Sequence, residues 1–255
     1  MKISLIQDNI IWADSAANLS KLHVRLQQLS GRTDVVVLPE MFSTGFCVDK
    51  PELAENMNGE VVQCLKSWAD EFQLAITGSL IINEKSGVYN RAFFIRPDGD
   101  VFFADKRHLF TPGGESRIFT KGNTKLKVNY NGVRFFVLIC YDIRFPVWSR
   151  NVNNEYDVLV YVANFPANRI SNWDILLKAR AIENQCYVCG VNRVGVDGLG
   201  IAYNGHSVLL DYLGKPVVEC DENAEMVVTG EVDIDKLKNF RERSPFWKDA
   251  DEFSL

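Results

Sequence analysis

Three apolar runs in this chain each deliver a side chain with chemistry to offer. VVVLP runs into Glu40, VFFAD into Lys106 and RFFVLI into Cys140, and an irregular polar loop follows each. In open α/β folds ligands collect where strands present their carboxyl ends, so a carboxylate, an ammonium and a thiol placed this way form a candidate constellation. A thiol attacks an acyl carbon only as thiolate, so Cys140 needs a base or a nearby positive charge. Glu40 could take that proton as general base. Lys106 could stabilise the thiolate and then the oxyanion of a tetrahedral intermediate, helped by a backbone N–H such as that of Tyr141. Together these groups would perform acyl transfer through a thioester, with ammonia leaving and water entering. Bland readings stand beside this one. A lone buried cysteine is usually inert, a Glu after Pro often ends a turn, and Asp105-Lys106-Arg107 reads equally well as a solvated loop.

The rival sites fail on geometry. Cys186 and Cys189 form a C-x-x-C inside the apolar run CYVCGV. In a strand, residues three apart point to opposite faces, so these two cannot share a metal or close a facile disulfide. A Cys–His pair would need His108 or His206 beside a thiol. His108 is two residues from Lys106 and is a candidate to line the site, whereas His206 follows Asn204-Gly205 in a turn and reads as structural. No His, Cys or Asp cluster has metal-ligand spacing, and Cys47, Cys64 and Cys220 read as packing or surface thiols.

The elements that must position these residues alternate along the chain. Ile3–Gln7 opens as a strand, and Asp14 can cap a helix whose Leu19, Leu22, Leu26 and Leu29 keep helical spacing up to Gly31. Asp34–Leu38 is a buried-strand run. A second helix spans about Gly59 to Phe72, followed by strands over Leu74–Ile82, Val88–Ile95 and Val101–Ala104. Asn131-Gly132 between Lys125–Tyr130 and Val133–Cys140 signals a two-residue hairpin. Asp157–Asn164 and Cys186–Val194 read as strands around a helix over Trp173–Asn184, and strands over Ser207–Asp211, Lys215–Val218 and Met226–Val232 complete the set. About ten strands interrupted by four or five helices, with no repeat and no linker, predict one α/β domain over residues 1–255 with a mixed sheet.

Composition bounds the function. The chain has 255 residues, 47% hydrophobic and 24% charged, with a net charge of −5, six cysteines and three histidines. That content excludes disorder, and the acidic balance excludes a nucleic-acid partner, which would need a basic stripe. No segment approaches the ~18 apolar residues of a membrane span. The opening MKISLIQDNI is broken by Gln7 and Asp8 and is no signal peptide, so the expected compartment is the cytoplasm, where the cysteines stay thiols.

LPEMF around Glu40, DKRHLF around Lys106 and LICYDIRFP around Cys140 resemble, in order, the three signature blocks of the nitrilase (carbon–nitrogen hydrolase) superfamily. The similarity runs on through YVANFPANR and KARAIENQCYV to the tail WKDADEFSL, and within the superfamily it looks most like the bacterial omega-amidases. The resemblance implies that Glu40, Lys106 and Cys140 are the catalytic triad. It also implies a four-layer α-β-β-α sandwich of two mixed β-sheets, a homodimer or larger homo-oligomer, and no metal or organic cofactor. A second glutamate of the family, in the loop after the lysine, falls on Glu115 in TPGGESRIF, where an exposed loop carboxylate is the alternative.

The substrate implied is a 2-oxo dicarboxylic acid monoamide such as 2-oxoglutaramate or 2-oxosuccinamate. A buried substrate carboxylate wants an arginine fork. The resemblance favours Arg144, four residues after Cys140; the alternative is that Arg144 pairs with Asp142 or Glu183. Phe165 could wall the pocket, and Arg117, Arg169 and Arg180 are weaker candidates for the carboxylate. Another amidase, a carbamoylase or a nitrilase of the superfamily stays open, because the thioester chemistry is shared. So does a non-catalytic module that binds a small acid.

Overall fold

β-Branched and aromatic runs build the strands, and amphipathic runs build the helices that cover them. The computed structural model describes residues 1–253, so Ser254 and Leu255, which end the WKDADEFSL tail, lie outside the described residues. The strands in chain order are β1 (Lys2–Gln7), β2 (Val35–Val37), β3 (Ala75–Glu84), β4 (Gly87–Ile95), β5 (Val101–Asp105), β6 (Leu126–Tyr130), β7 (Val133–Ile139), β8 (Val158–Ala163), β9 (Tyr187–Asn192), β10 (Val194–Val196), β11 (Ala202–Asn204), β12 (Val208–Leu210), β13 (Pro216–Glu219) and β14 (Met226–Glu231). The helices are α1 (Ser15–Leu29), α2 (Glu60–Phe72), α3 (Glu115–Ile118), α4 (Pro146–Ser149), α5 (Ile170–Asn184) and α6 (Ile234–Arg243).

Two six-stranded sheets result, with orders β14-β1-β2-β3-β4-β5 and β13-β12-β9-β8-β7-β6; β10 and β11 pair separately. Both large sheets are mixed. β1, β2 and β3 run parallel, as do β7, β8 and β9, and antiparallel strands flank each parallel centre. Ile3, Leu5, Val35 and Val37 of the first sheet meet Phe135, Val137, Val160 and Val191 of the second in one buried layer. Leu19, Leu22 and Leu26 of α1, with Val62 and Leu65 of α2, cover the outside of the first sheet. Trp173, Leu177 and Ala181 of α5 cover the outside of the second. The architecture is the α-β-β-α sandwich that the family resemblance implies.

Local chemistry explains the boundaries. The Asp14 side chain caps α1 by accepting the Ala17 N–H at 3.0 Å. Asn131 and Gly132 both take positive φ (48° and 79°), as a type I′ turn requires, and Tyr130 pairs with Val133 across it. Cys186 packs in the outer layer beside α5 and Cys189 between the sheets, on opposite faces as strand periodicity demands.

Two readings change. The strand expected to run through Cys140 stops at Ile139. Helix α6 was not expected, because only Leu237 of its apolar residues is buried; it is anchored instead by Arg241, whose Nη1 donates to the buried Asp157 at 2.8 Å. Among the described residues no helix is long and apolar enough to cross a membrane.

Gly190 in β9 has no side chain because α5 presses on it: a Cβ there would lie 2.5 Å from Leu177 Cδ1 and 2.9 Å from Trp173 Cζ2. Gly190→Val should therefore cost about 1–3 kcal/mol from overpacking. Thermal denaturation should show a melting temperature lower by roughly 2–10 °C; an unchanged one would contradict this packing.

Candidate active site

Each chemical residue leaves the end of a strand of one of the two large sheets, Glu40 and Cys140 after strands paired on both sides and Lys106 after the edge strand β5. The chain continues past β2 through Leu38, whose N–H still pairs with Thr77 at 2.8 Å, into Pro39 and Glu40. The next amide, of Met41, donates to Ser79 Oγ at 2.9 Å and turns the loop away. Lys106 prolongs β5 by one bond, its N–H donating to the Asn90 carbonyl at 2.8 Å. Cys140 stands at φ +41°, in the left-handed region that a non-glycine residue rarely adopts. That kink ends β7 and starts the tight helical turn Cys140–Arg144. The amide of Tyr141, in its first turn, is one of the N–H groups that such a turn leaves without an internal partner.

Asp142 holds this strained turn. Its buried carboxylate accepts the Ile139 N–H at 3.1 Å through Oδ2. Its Oδ1 accepts the His108 N–H at 3.0 Å and meets His108 Nδ1 at 2.8 Å. The His108 ring lies flat on Phe145, with centroids 3.7 Å apart. His108 thus ties the loop after Lys106 to the turn that carries the thiol, rather than lining the cavity as the sequence suggested.

The side chains converge around one ammonium. Lys106 Nζ lies 2.8 Å from Glu40 Oε1, 3.0 Å from Glu115 Oε1 and 2.9 Å from Glu115 Oε2. Glu40 and Glu115 are 0% exposed and Lys106 is 2% exposed, so neither the exposed-loop reading of Glu115 nor the solvated-loop reading of Lys106 holds. Asn90 Nδ2 donates to Glu40 Oε1 (2.8 Å) and Glu115 Oε1 (3.0 Å). The Asn164 N–H donates to Glu40 Oε2 at 2.9 Å, its Nδ2 donates to the Glu40 carbonyl at 2.7 Å, and the Phe110 N–H donates to Glu115 Oε2.

Electrostatics follow from that burial. Burial drives the Lys106 ammonium down, but Glu115, Glu40 and Cys140 outweigh it and hold its pKa above the usual lysine value. Burial pushes Glu115 up and Glu40 pushes it the same way, with Lys106 opposing. Burial and then the facing Glu40 carboxylate push the Cys140 thiol well above the ordinary cysteine value; Lys106 pulls it back only partly. The Cys140 thiol is therefore held neutral beside a carboxylate and an ammonium. This arrangement suits proton transfer during attack better than a standing thiolate.

The thiol opens onto a cavity of about 440 Å³. Lys106, Cys140, Tyr141 and Asn164 form its chemical end, and Phe46, Phe110, Phe165 and Ile201 supply apolar wall. Arg117, Arg144 and Arg169 also line it, and among the described residues none of the three has an ion-pair partner. The guanidinium of Arg144 lies over the Phe165 ring (5.9 Å) and that of Arg169 over Phe110 (5.0 Å). The alternative partners of Arg144 are engaged elsewhere, Asp142 with His108 and Glu183 with Arg180 at 2.8 Å. Arg180 is the correction: it lies outside the cavity, tied to Glu183 and the Ile143 carbonyl. Among the described residues no group of three or more His, Cys, Asp and Glu is arranged to hold a metal ion.

Sequence reasoning missed Asn90 and Asn164. Asn164 directly follows β8, so the strand-end rule that picked out Glu40, Lys106 and Cys140 applies to it equally. Asn90 interrupts the apolar run of β4 with a buried amide, the weaker of the two signals.

The carbon-nitrogen hydrolase family matches residues 2–242. Omega-amidase YafV of Escherichia coli K12 is 42% identical over 257 residues, spanning 100% of this chain and 98% of that protein. The 2-oxoglutaramate amidase of Bacillus subtilis 168 is 32% identical, spanning 97% of this chain and 96% of its own length. Among solved structures, XC1258 from Xanthomonas campestris is described as a CN-hydrolase superfamily protein with an arsenic adduct in its active site. It superposes with a TM-score of 0.98 at 40% identity, covering 100% of this chain and 98% of that one.

The raised thiol makes a specific prediction. Alkylation of Cys140 by iodoacetamide, followed by peptide mass spectrometry, should outpace that of the buried Cys47, Cys186, Cys189 and Cys220. Its rate should keep climbing through the alkaline range; a rate already level at neutral pH would mean a standing thiolate and contradict the direction of the shift.

Proposed function

The chain belongs to the carbon–nitrogen hydrolase family, and on that premise we propose that it is an omega-amidase. In this reading it hydrolyses the terminal amide of 2-oxo dicarboxylic acid monoamides, 2-oxoglutaramate and 2-oxosuccinamate, to the 2-oxo diacid and ammonia. One observation carries the proposal: a thiol, a carboxylate and an ammonium meet beside a cavity that is also lined by three guanidinium groups with no ion-pair partner among the described residues. The full-length likeness to omega-amidase YafV and to a 2-oxoglutaramate amidase supports the substrate class.

Cys140 is the nucleophile. As Sγ bonds to the amide carbon, its proton passes to Glu40 and the carbonyl electrons become an oxyanion, met by Lys106 Nζ and the Tyr141 N–H. Collapse of this intermediate breaks the C–N bond, and Glu40 returns the proton to the departing nitrogen, which leaves as ammonia. Water then attacks the thioester, giving a proton to Glu40; the C–S bond breaks and the thiol is restored. Glu115 assists by holding Lys106, which it grips through both carboxylate oxygens.

Arg144 holds the substrate carboxylate, with Phe165 as the wall beneath it. Cations at Arg117, Arg144 and Arg169 favour a 2-oxo acid over a 2-amino acid, whose ammonium they would repel. The reading includes a homodimer or larger homo-oligomer, supported by Ile175 and Ile182, which are 65% and 55% exposed on the outer face of α5. It places the protein in the cytoplasm, in keeping with six unbridged cysteines.

Ammonia release from 2-oxoglutaramate tests the proposal. Cys140→Ala should abolish it, and Arg144→Met should raise KM about tenfold to hundredfold, the worth of a charged hydrogen bond, with a smaller change in kcat. L-Glutamine should be turned over at least about a hundredfold less efficiently. A wild-type protein inert toward both oxo-acid amides would overturn the substrate, and undiminished turnover by Cys140→Ala would overturn the nucleophile.

A further inference from the structure

Asn90 belongs to none of the sequence blocks around Glu40, Lys106 and Cys140, yet its side chain sits between the two buried carboxylates. Nδ2 donates to Glu40 Oε1 and Glu115 Oε1, the same two oxygens that Lys106 Nζ holds at 2.8 and 3.0 Å. Two donors and two acceptors thus close a ring. The main chain of Asn90 contributes as well, since its carbonyl takes the Lys106 N–H at 2.8 Å.

The other end of the amide is informative. Asn90 Oδ1 is buried and has no hydrogen-bond partner among the described residues. Turning the amide over would aim that oxygen at two carboxylate oxygens, so repulsion decides its orientation. The fold tolerates an unpaired acceptor in order to keep both N–H bonds on the carboxylates. An amide suits the place because it supplies two donors and no charge. A second cation there would neutralise the carboxylates, and an apolar residue would leave their facing oxygens with Lys106 alone.

We propose that Asn90 is a positioning residue for the hydrolysis: it holds Glu40 and Glu115 side by side on Lys106, so that Glu40 keeps its place as proton acceptor for Cys140. The inference rests on the amidase reading for its meaning, and on hydrogen-bond geometry for its evidence. The ionisable groups of the cluster are Glu40, Glu115, Lys106 and Cys140. Its other donors are the backbone N–H groups of Phe110 and Asn164, and both survive a change at residue 90. A hydrogen bond to a carboxylate favours the charged form, so losing one raises the carboxylate's affinity for protons.

The test uses Asn90→Ala, which removes both donors, and Asn90→Ser, which can restore one. The pH profile of kcat/KM on 2-oxoglutaramate, the pH profile of Cys140 alkylation and a thermal melt are recorded for each. In Asn90→Ala kcat should fall about tenfold to hundredfold, with KM within about threefold, and the acid limb of kcat/KM should move up by about one pH unit; the alkaline rise of Cys140 alkylation should move up as well, because carboxylates that lose a donor hold the facing thiol's proton more tightly. Asn90→Ser should fall between this variant and the wild type. An acid limb unmoved in the variants overturns the proposal, whether or not rate or melting temperature drops. If Asn90→Ala does not fold, the limb of Asn90→Ser decides alone. Should even the wild type fail to hydrolyse 2-oxoglutaramate, the substrate reading falls, and the alkylation profiles still decide the role of Asn90.

Discussion

One buried ammonium has to satisfy two buried carboxylates, and the rest of the site follows from that constraint. Lys106, Glu40 and Glu115 are almost wholly removed from water, where unpaired charge costs several kcal/mol, of order 3–5 when one partner of a buried pair is lost. Two negative charges on one positive charge leave an excess that only hydrogen-bond donors can absorb. Asn90 Nδ2 and the backbone N–H groups of Asn164 and Phe110 are those donors. The excess is also useful. A thiol facing a net negative cluster stays protonated at rest, and a carboxylate in the same cluster is well placed to take its proton once an acyl carbon arrives.

The site therefore exists only where the two sheets meet. Glu40, Asn90 and Lys106 leave or lie on strands of the first sheet, while Cys140 and Asn164 leave strands of the second. Asn164 crosses the boundary with two bonds to Glu40, one to the side chain and one to the main chain. Asp142 and His108 make the other crossing, between the turn after β7 and the loop after β5. Packing of Ile3, Val37, Val137 and Val160 between the sheets is thus what sets the distances among the polar groups at their edge.

Much of this was legible in the sequence because it rests on short-range rules. The strand-end placement of Glu40, Lys106 and Cys140 needs only apolar runs and their terminators, and the Asn131-Gly132 hairpin needs only two residues able to take positive φ. Helix α6 was not legible, because its anchor is an ion pair to Asp157, 84 residues earlier, and not an apolar stripe. Asn90 was not legible either: a lone amide in a strand has no pattern, and its partners come from residues 40 and 115. The arginines were visible as cations, but choosing among them needs the third dimension. Arg117, Arg144 and Arg169 line the cavity and Arg180, buried inside α5, does not.

The cavity joins the two halves of the account. Lys106, Cys140, Tyr141 and Asn164 line it beside Arg117, Arg144 and Arg169, so in the proposed reading one cavity holds both the thioester chemistry and the cations that would select the acyl group. Rapid-quench mass spectrometry of the wild-type protein mixed with 2-oxoglutaramate tests the link between them most directly. The account predicts a 2-oxoglutaryl adduct on the peptide that carries Cys140, formed together with the first equivalent of ammonia. Ammonia released with no adduct, or an adduct on any other residue, would contradict it.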